Sequence, residues 1–372
     1  MAGSTRLVDL VQSRLDEFLA EHGAVLNRIS PDLGIIDDSA RQLLAGGKRF
    51  RALFCYWGWR SVAGFSGGDE PLDDREHPGL EAVVSVASAL EVFHAAALIH
   101  DDIMDNSDTR RGQPSAHRRF EALHREQGWS GSARDYGDAS ALLLGDLLLA
   151  WSDELFDSGV RLIGSADAAI AARDQFALMR TEVTLGQYLD MLEETSWRSR
   201  PETELLPRAH RVVVYKSAKY TVEAPLMIGA SLADASLPQL AALRAFGLPL
   251  GIAFQLRDDL LGVFGDPAVT GKPAGDDLRE GKRTVLVTLA RQKLPGSAAR
   301  LFDELLGDEE LNDQQVAMLQ TAVRDSGAVE QVEKIIAHNV AVATAALADA
   351  PLTRSAREQL GALADTVSRR ES

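Results

Sequence analysis

The chain has 372 residues, 45% of them hydrophobic and only 6% aromatic, enough to bury a large core and rich in the residue types that favour helix. Its formal net charge of -16 repels nucleic acid and anionic membranes, so a phosphate-bearing ligand must be caught by a local cluster of cations. The single cysteine, Cys55, excludes an intrachain disulfide and suits a reducing compartment. Residues 1–25 show no basic stretch followed by an apolar core, so a cytoplasmic protein without a signal peptide is expected.

Apolar residues recur at three- and four-residue spacing almost everywhere, and strand-like alternation almost nowhere. The spacing predicts helices over 7–26, 83–105, 139–158, 168–194, 209–232, 237–264 and 327–348. The stretch 83–99 is the most apolar, but it holds Glu91 and His94 and falls short of the roughly 20 residues of a span. It is expected to be a buried core helix, with no stable membrane insertion. Breaks rich in glycine, proline or polar residues fall at 64–78, 128–137, 195–204 and 265–282. None resembles a linker and no repeat is visible, so one all-α domain over residues 1–372 is expected.

Two segments carry costs that fold stability does not select. Asp101, Asp102 and Asp105 close the helix 83–105, and positions four apart project from one face. Three carboxylates repel each other there, at the helix end where the macrodipole disfavours anions. Asp258 and Asp259 close the helix 237–264 in the same way. An acidic pair on a helix is ordinarily a solvated face. Two pairs closing apolar helices, each followed by a glycine-bearing basic loop, point instead to hard cations. Mg²⁺ binds through one or two carboxylates plus substrate phosphates, and helix ends packed side by side would share two or three ions.

The candidate phosphate partners are cationic. Gly46 and Gly47 precede Lys48 and Arg51, which are three residues apart and able to converge on one phosphate. Arg110 and Arg111 follow the first acidic cluster, Lys216 and Ser217 lie on a helical stretch, and Lys272 and Lys282 follow the second cluster. Each lysine alone is ordinary surface; the order acid, base, base, acid, base is harder to dismiss. His94 sits two turns before Asp101, and Gln187, Asp190 and Gln255 place amides and an acid on apolar helices, where buried polar groups need partners. His100 and His117 have weaker claims.

Taken together, these residues resemble the trans-isoprenyl diphosphate synthase (polyprenyl synthetase) family, and geranylgeranyl diphosphate synthases within it. Asp101 to Gly112 is similar to its first aspartate-rich motif, Gly46 to Arg51 to GGKxxR, Gly186 to Asp190 to GQxxD, and Lys216-Ser217 to its lysine–hydroxyl pair. Phe254 to Asp259 looks like the second aspartate-rich motif, and Gly271 to Thr284 like the lysine loop after it. The resemblance implies an all-α helical bundle around a deep central cavity, a homodimer, and magnesium held by Asp101, Asp105 and Asp258, with Asp102 and Asp259 as ligands or supports. It implies isopentenyl diphosphate at Lys48, Arg51, His94 and Arg111. An allylic diphosphate would lie at Arg110, Lys216, Ser217, Gln255, Lys272 and Lys282. The sequence departs from the family where its DDxxD motif carries a third aspartate: Gly262 stands there, with Asp266 four residues on.

No GxSxG elbow or phosphate-binding GxxxxGK[ST] loop is present, which fits metal-assisted ionisation of an allylic diphosphate, condensation and proton loss. Small Ala96 and Ala97 lie one turn before Asp101, and Phe93 lies eight residues before it, about 12 Å along a helix, as a floor for a twenty-carbon chain. Products of fifteen or twenty-five carbons are the neighbouring alternatives. A class I terpene cyclase and a non-catalytic diphosphate-binding subunit are the rival functions; Lys48, Arg51 and Arg111 argue against the first and the intact first motif against the second.

Overall fold

The computed structural model describes residues 2–62, 79–266, 275–308 and 310–368. The helices are α1 (Ala2–Ile29), α2 (Gly34–Leu44), α3 (Phe50–Val62), α4 (Leu80–Met104), α5 (Ala116–Glu126), α6 (Ala133–Val160), α7 (Ala166–Ser196) and α8 (Glu202–Val212). A π-helical segment (Val213–Glu223) leads into α9 (Ala224–Leu232) and α10 (Leu237–Phe264). The rest are α11 (Asp276–Arg279), α12 (Val285–Lys293), α13 (Gly296–Leu305), α14 (Asp313–Asp325), α15 (Ala328–Leu347) and α16 (Arg354–Ser368). Among the described residues the only strands are β1 (Thr109–Arg110) and β2 (Gln113–Pro114), an antiparallel pair with Arg110 opposite Gln113. The all-α expectation holds.

The chain forms two compact units, each drawn from several stretches of sequence. The first takes residues 1–174, 225–237 and 353–356. Helix α4 is apolar around its whole circumference, and such a helix must be buried on all sides; α1, α3 and α6 pack against it. By length and composition alone α4 and α10 pass for membrane spans, but 83% of the apolar window of α4 and 44% of that of α10 are buried within the protein. Ser152 on α6 donates to the Ala89 carbonyl of α4 at 2.8 Å. Side chains on Gly58 and Gly229 would strike the Leu226 and Cys55 carbonyls, so α3 and α9 meet backbone to backbone. Burial pushes the Cys55 thiol up, which makes it an inert core residue.

The second unit takes residues 175–224, 238–352 and 357–372. Its core gathers Leu256, Leu260 and Val263 of α10, Leu278 of α11, Val285 to Ala290 of α12, Val316 and Leu319 of α14, and Val332 and Ile336 of α15. Two glycines set its functional part. A side chain on Gly186 of α7 would collide with the backbone of Tyr215 and Lys216, and one on Gly251 of α10 with that of Ala218. The π-helical segment therefore contacts α7 and α10 at van der Waals distance, with Lys216 and Ser217 on it.

The helix expected over 209–232 is three segments, α8, the π turn and α9, a change of hydrogen-bond register that apolar spacing does not report. Gly137, within the expected break at 128–137, lies inside α6, where its missing side chain admits the His117 carbonyl of α5. Of the break at 265–282, residues 276–279 form one helical turn and 267–274 lie outside the described residues.

Candidate active site

The first acidic end belongs to the first unit. Helix α4 finishes with the Asp105 amide bonded to the Asp101 carbonyl at 2.8 Å and the Ser107 amide to the Asp102 carbonyl at 2.9 Å. Asp101 and Asp105 are partly exposed, whereas Asp102 is 2% exposed. Its charge is met from β1: Arg110 Nε donates to Asp102 Oδ1 at 2.9 Å, and Nη2 lies 3.7 Å from Asp101 Oδ2. This is how the chain tolerates buried acid at a negative helix end. Arg111 and Gly112, both at positive φ, make the two-residue turn between β1 and β2. Arg118 of α5 pins the loop through Asp108 at 2.7 Å and Asn106 at 3.0 Å, and pairs with Glu121 of its own helix at 2.8 Å.

The basic loop before α3 meets this end. Gly46 and Gly47 have φ of 63° and 97°, and the space for a Gly47 side chain ends 3.8 Å from the Arg111 guanidinium. Lys48 is exposed and Arg51 half-buried. Between them Arg49 turns inward, 5% exposed, to Glu91 at 3.4 Å and Gln12 at 2.8 Å and to the Leu44 carbonyl, while the Ala52 amide donates to Glu91 at 3.1 Å. The Arg49–Glu91 pair thus locks the loop to α4, so Lys48 and Arg51 are presented by a fixed backbone. Sequence reading missed it, because 42 residues separate the two.

His94 lies on α4 among these cations. Burial first, then Arg51, Arg111 and Arg110, hold its imidazole well below the usual range, so it is neutral at physiological pH. His100 and His117 pack against neighbouring elements of the same unit. His100 lies over Gly145 of α6 with Nε2 3.4 Å from the Leu142 carbonyl, and His117 is buried behind the loop, 3.2 Å from Ser115 Oγ. Phe93 and Ala96 are buried and Ala97 is half-buried.

The second acidic end belongs to the second unit. Asp258 is half-buried, and Asp259 is 4% exposed and accepts from Gln255 Nε2 at 2.7 Å. Burial first, then the neighbouring Asp277, push the Asp259 carboxyl well above the usual carboxylate range. Arg257 turns away to Glu333 of α15 with a bidentate pair at 2.6 and 2.8 Å. Lys216 Nζ donates to Asp190 at 2.6 Å, so the GQxxD segment holds the lysine through its aspartate. Gln187 Nε2 is buried with no hydrogen-bond partner among the described residues. Ser217 is half-buried beside Lys216, and Lys282 pairs with Glu280 at 2.6 Å. Arg283, next in sequence, stacks over Trp197 with 3.6 Å from guanidinium carbon to ring centroid, which fixes the backbone that carries Lys282. Lys272 lies outside the described residues. Asp266 is exposed just past α10, and the group that crowds Gly262 is Asp277.

Among the described residues no three Asp, Glu, His or Cys side chains gather tightly enough to cage a cation unaided. One or two carboxylates per helix end is the donor set Mg²⁺ uses when substrate phosphates complete its shell. The buried Oδ2 of Asp259, without a hydrogen-bond partner among the described residues, suits a cation-bound water. The residues present therefore fit a magnesium diphosphate.

The family model for polyprenyl synthetase matches residues 34–323. A geranylgeranyl diphosphate synthase of Mycobacterium tuberculosis is 32% identical over 330 residues, 88% of this chain and 81% of the relative. A geranylfarnesyl diphosphate synthase of Aeropyrum pernix is 32% identical over 308 residues, 82% and 84% of the two chains. The crystal structure of a Corynebacterium glutamicum geranylgeranyl pyrophosphate synthase, complexed with isoprenyl diphosphate and magnesium, superposes with a TM-score of 0.89 at 39% identity, covering 98% and 99% of the two chains.

A neutral His94 has a consequence for stability. The unfolded chain takes up a proton at His94 below its ordinary pKa of about 6.5 and the folded chain does not, so stability is present above that pH and lost as pH falls. Denaturant titrations at pH 7.5 and 5.5 should show the stability gap between wild type and His94→Gln narrowing by about 1.4 kcal/mol at the lower pH. A constant gap would mean that the folded protein protonates His94.

Proposed function

The chain belongs to the polyprenyl synthetase family and is a trans-prenyl diphosphate synthase, and from that premise we propose that it condenses isopentenyl diphosphate with an allylic starter of five to fifteen carbons to give geranylgeranyl diphosphate. The observation that carries the product length is the helix before Asp101. Ala96 and Ala97 leave room for a growing chain, and buried Phe93, about 12 Å from Asp101 along the axis, makes a floor. The name of the Mycobacterium tuberculosis relative supports twenty carbons, and that of the Aeropyrum pernix relative makes twenty-five the nearest competitor.

In this reading Asp101, Asp105 and Asp258 would hold two or three Mg²⁺ ions, supported by Asp102 and Asp259. Magnesium bound there would supply counter-charge for the departing diphosphate. Lys216, Ser217, Lys282, Lys272, Arg110 and Gln255 take the allylic diphosphate, and Gln187 supplies its buried amide. Because Asp190 and Asp102 already hold Lys216 and Arg110 in place, little reorganisation is needed when the carbon–oxygen bond breaks. Lys48, Arg51 and Arg111 fix isopentenyl diphosphate on the locked loop so that its double bond meets the allylic carbon, with neutral His94 donating a hydrogen bond. Apolar walls exclude water from the cation. The proton then leaves with the released diphosphate, and the whole cycle proceeds in the cytoplasm.

The family resemblance also implies a homodimer. Helix α7 supports it: Leu178, Leu185 and Tyr188 are exposed on the side roughly opposite Gln187 and Asp190, an apolar stripe that a second copy would cover. Light scattering on the purified 40.2 kDa chain should give about twice that mass; a monomer would remove this assignment.

Purified protein with magnesium, isopentenyl diphosphate and each of the five-, ten- and fifteen-carbon starters should yield dephosphorylated prenols dominated by twenty carbons. Phe93→Ala should shift the distribution by at least one five-carbon unit. An unchanged distribution removes Phe93 as the floor, and a wild-type product of fifteen or twenty-five carbons contradicts the assigned length.

A further inference from the structure

The π-helical segment is long for its kind. Five-residue hydrogen bonding is rare in proteins and ordinarily lasts a single turn inside an α-helix. Here it runs for 11 residues, Val213–Glu223, so contacts outside the segment must hold its register. Gly186 and Gly251 give it close backbone neighbours, but a glycine face is smooth and by itself selects no register.

Lys219 supplies a fixed point. Its Nζ donates to Glu182 Oε1 of α7 and lies 5.1 Å from the ring centroid of Tyr215 on its own segment. The two charged side chains are only 22% and 19% exposed, so water screens the pair less than it would at the open surface. Lys216 and Ser217 lie between Tyr215 and Lys219 in sequence, so this clasp brackets the two residues assigned above to allylic diphosphate. We propose that Lys219 is a positioning residue: by tying Tyr215 to Glu182 it holds the π register in which Lys216 and Ser217 are presented to the allylic diphosphate.

Two further contacts agree. Lys216 donates to Asp190, about two turns on from Glu182, so each of the two lysines is held by a carboxylate of the same helix. At the end of the segment Glu223 is buried and accepts from Arg244 Nε of α10 at 3.2 Å, while its Oε2 has no hydrogen-bond partner among the described residues. Burial pushes the Glu223 carboxyl up, and Lys219 is the foremost charge drawing it back, ahead of Arg244. One ammonium thus compensates two acids, Glu182 on the neighbouring helix and Glu223 within the segment. Its loss leaves both carboxylates without their shared cation. The segment then relaxes toward four-residue bonding, which rotates Lys216 and Ser217 about the helix axis.

The inference rests on the reading that Lys216 and Ser217 take an allylic diphosphate, so two kinds of measurement are paired. Hydrogen exchange of the amides of residues 213–223 needs no substrate, and Lys219→Met should speed it about tenfold. Steady-state kinetics of the same variant should show KM for the fifteen-carbon starter raised about tenfold, with KM for isopentenyl diphosphate within about twofold of wild type. The second KM holds because the loop that carries Lys48 and Arg51 is untouched. Glu182→Gln, which removes the anchor from the other side, should move both readouts in the same direction. Lys219→Arg keeps the cation and should leave both within about threefold of wild type. Unchanged exchange in Lys219→Met overturns the proposal, and so does faster exchange with no rise in KM for the starter. A rise in both KM values with a lower melting temperature also overturns it, by leaving Lys219 a purely structural role. Lys219→Arg that behaves like Lys219→Met shows that the charge is not what holds the register, with the same consequence. A wild type that makes no prenol counts against the proposed function instead, and the exchange rates alone then decide whether Lys219 holds the segment.

Discussion

Carboxylates at the C-terminal end of an apolar helix are unfavourable twice over, by mutual repulsion and by the helix dipole. Much of this protein's polar architecture follows from holding such groups in place. In the first unit the cost is met by Arg110 on Asp102, by the pinning of the intervening loop through Arg118, and by a turn that sets Arg111 at positive φ. In the second unit it is met by Gln255 on Asp259. These contacts leave Asp101, Asp105 and Asp258 at least partly open at the helix ends, which is the exposure a cation bridging to a phosphate requires.

Positioning depends as much on absent side chains as on present ones. Gly186 and Gly251 bring α7 and α10 against the π-helical segment, so that Gln187, Lys216 and Gln255 come from three elements in direct contact. Gly262 admits Asp277 in the same manner. The buried Arg49–Glu91 pair does the corresponding work for the basic loop. Removing one partner of such a pair leaves an uncompensated buried charge, which is costly, so the loop geometry is tied to fold stability.

Much of this was legible in the residues. The helix 237–264 was placed to the residue because its apolar spacing is long and regular, and the acidic and basic clusters were visible because their members are close in sequence. Short helices such as α2, α5, α12 and α13 were not named, since 9 to 11 residues give too few repeats to stand above the surrounding pattern. The π turn was hidden for a different reason: a shift from four- to five-residue hydrogen bonding changes which residues face the site without altering composition. Partners distant in the chain, Arg49 with Glu91, Arg257 with Glu333 and Gly262 with Asp277, leave no local signal. The vacancy at Gly262 was visible, but what fills it was not, because Asp277 belongs to a one-turn helix inside what reads as a loop.

The proposed function requires that Asp101 and Asp258 serve a single cation-bound diphosphate. A double-mutant cycle on Mn²⁺–pyrophosphate binding, with Asp101→Asn, Asp258→Asn and the pair, addresses it directly. Each single variant should bind much more weakly, and the pair should lose less than the sum of the two, with a coupling of about 1 kcal/mol or more. Losses that simply add would mean that the two carboxylates act on separate groups, and the account would be wrong.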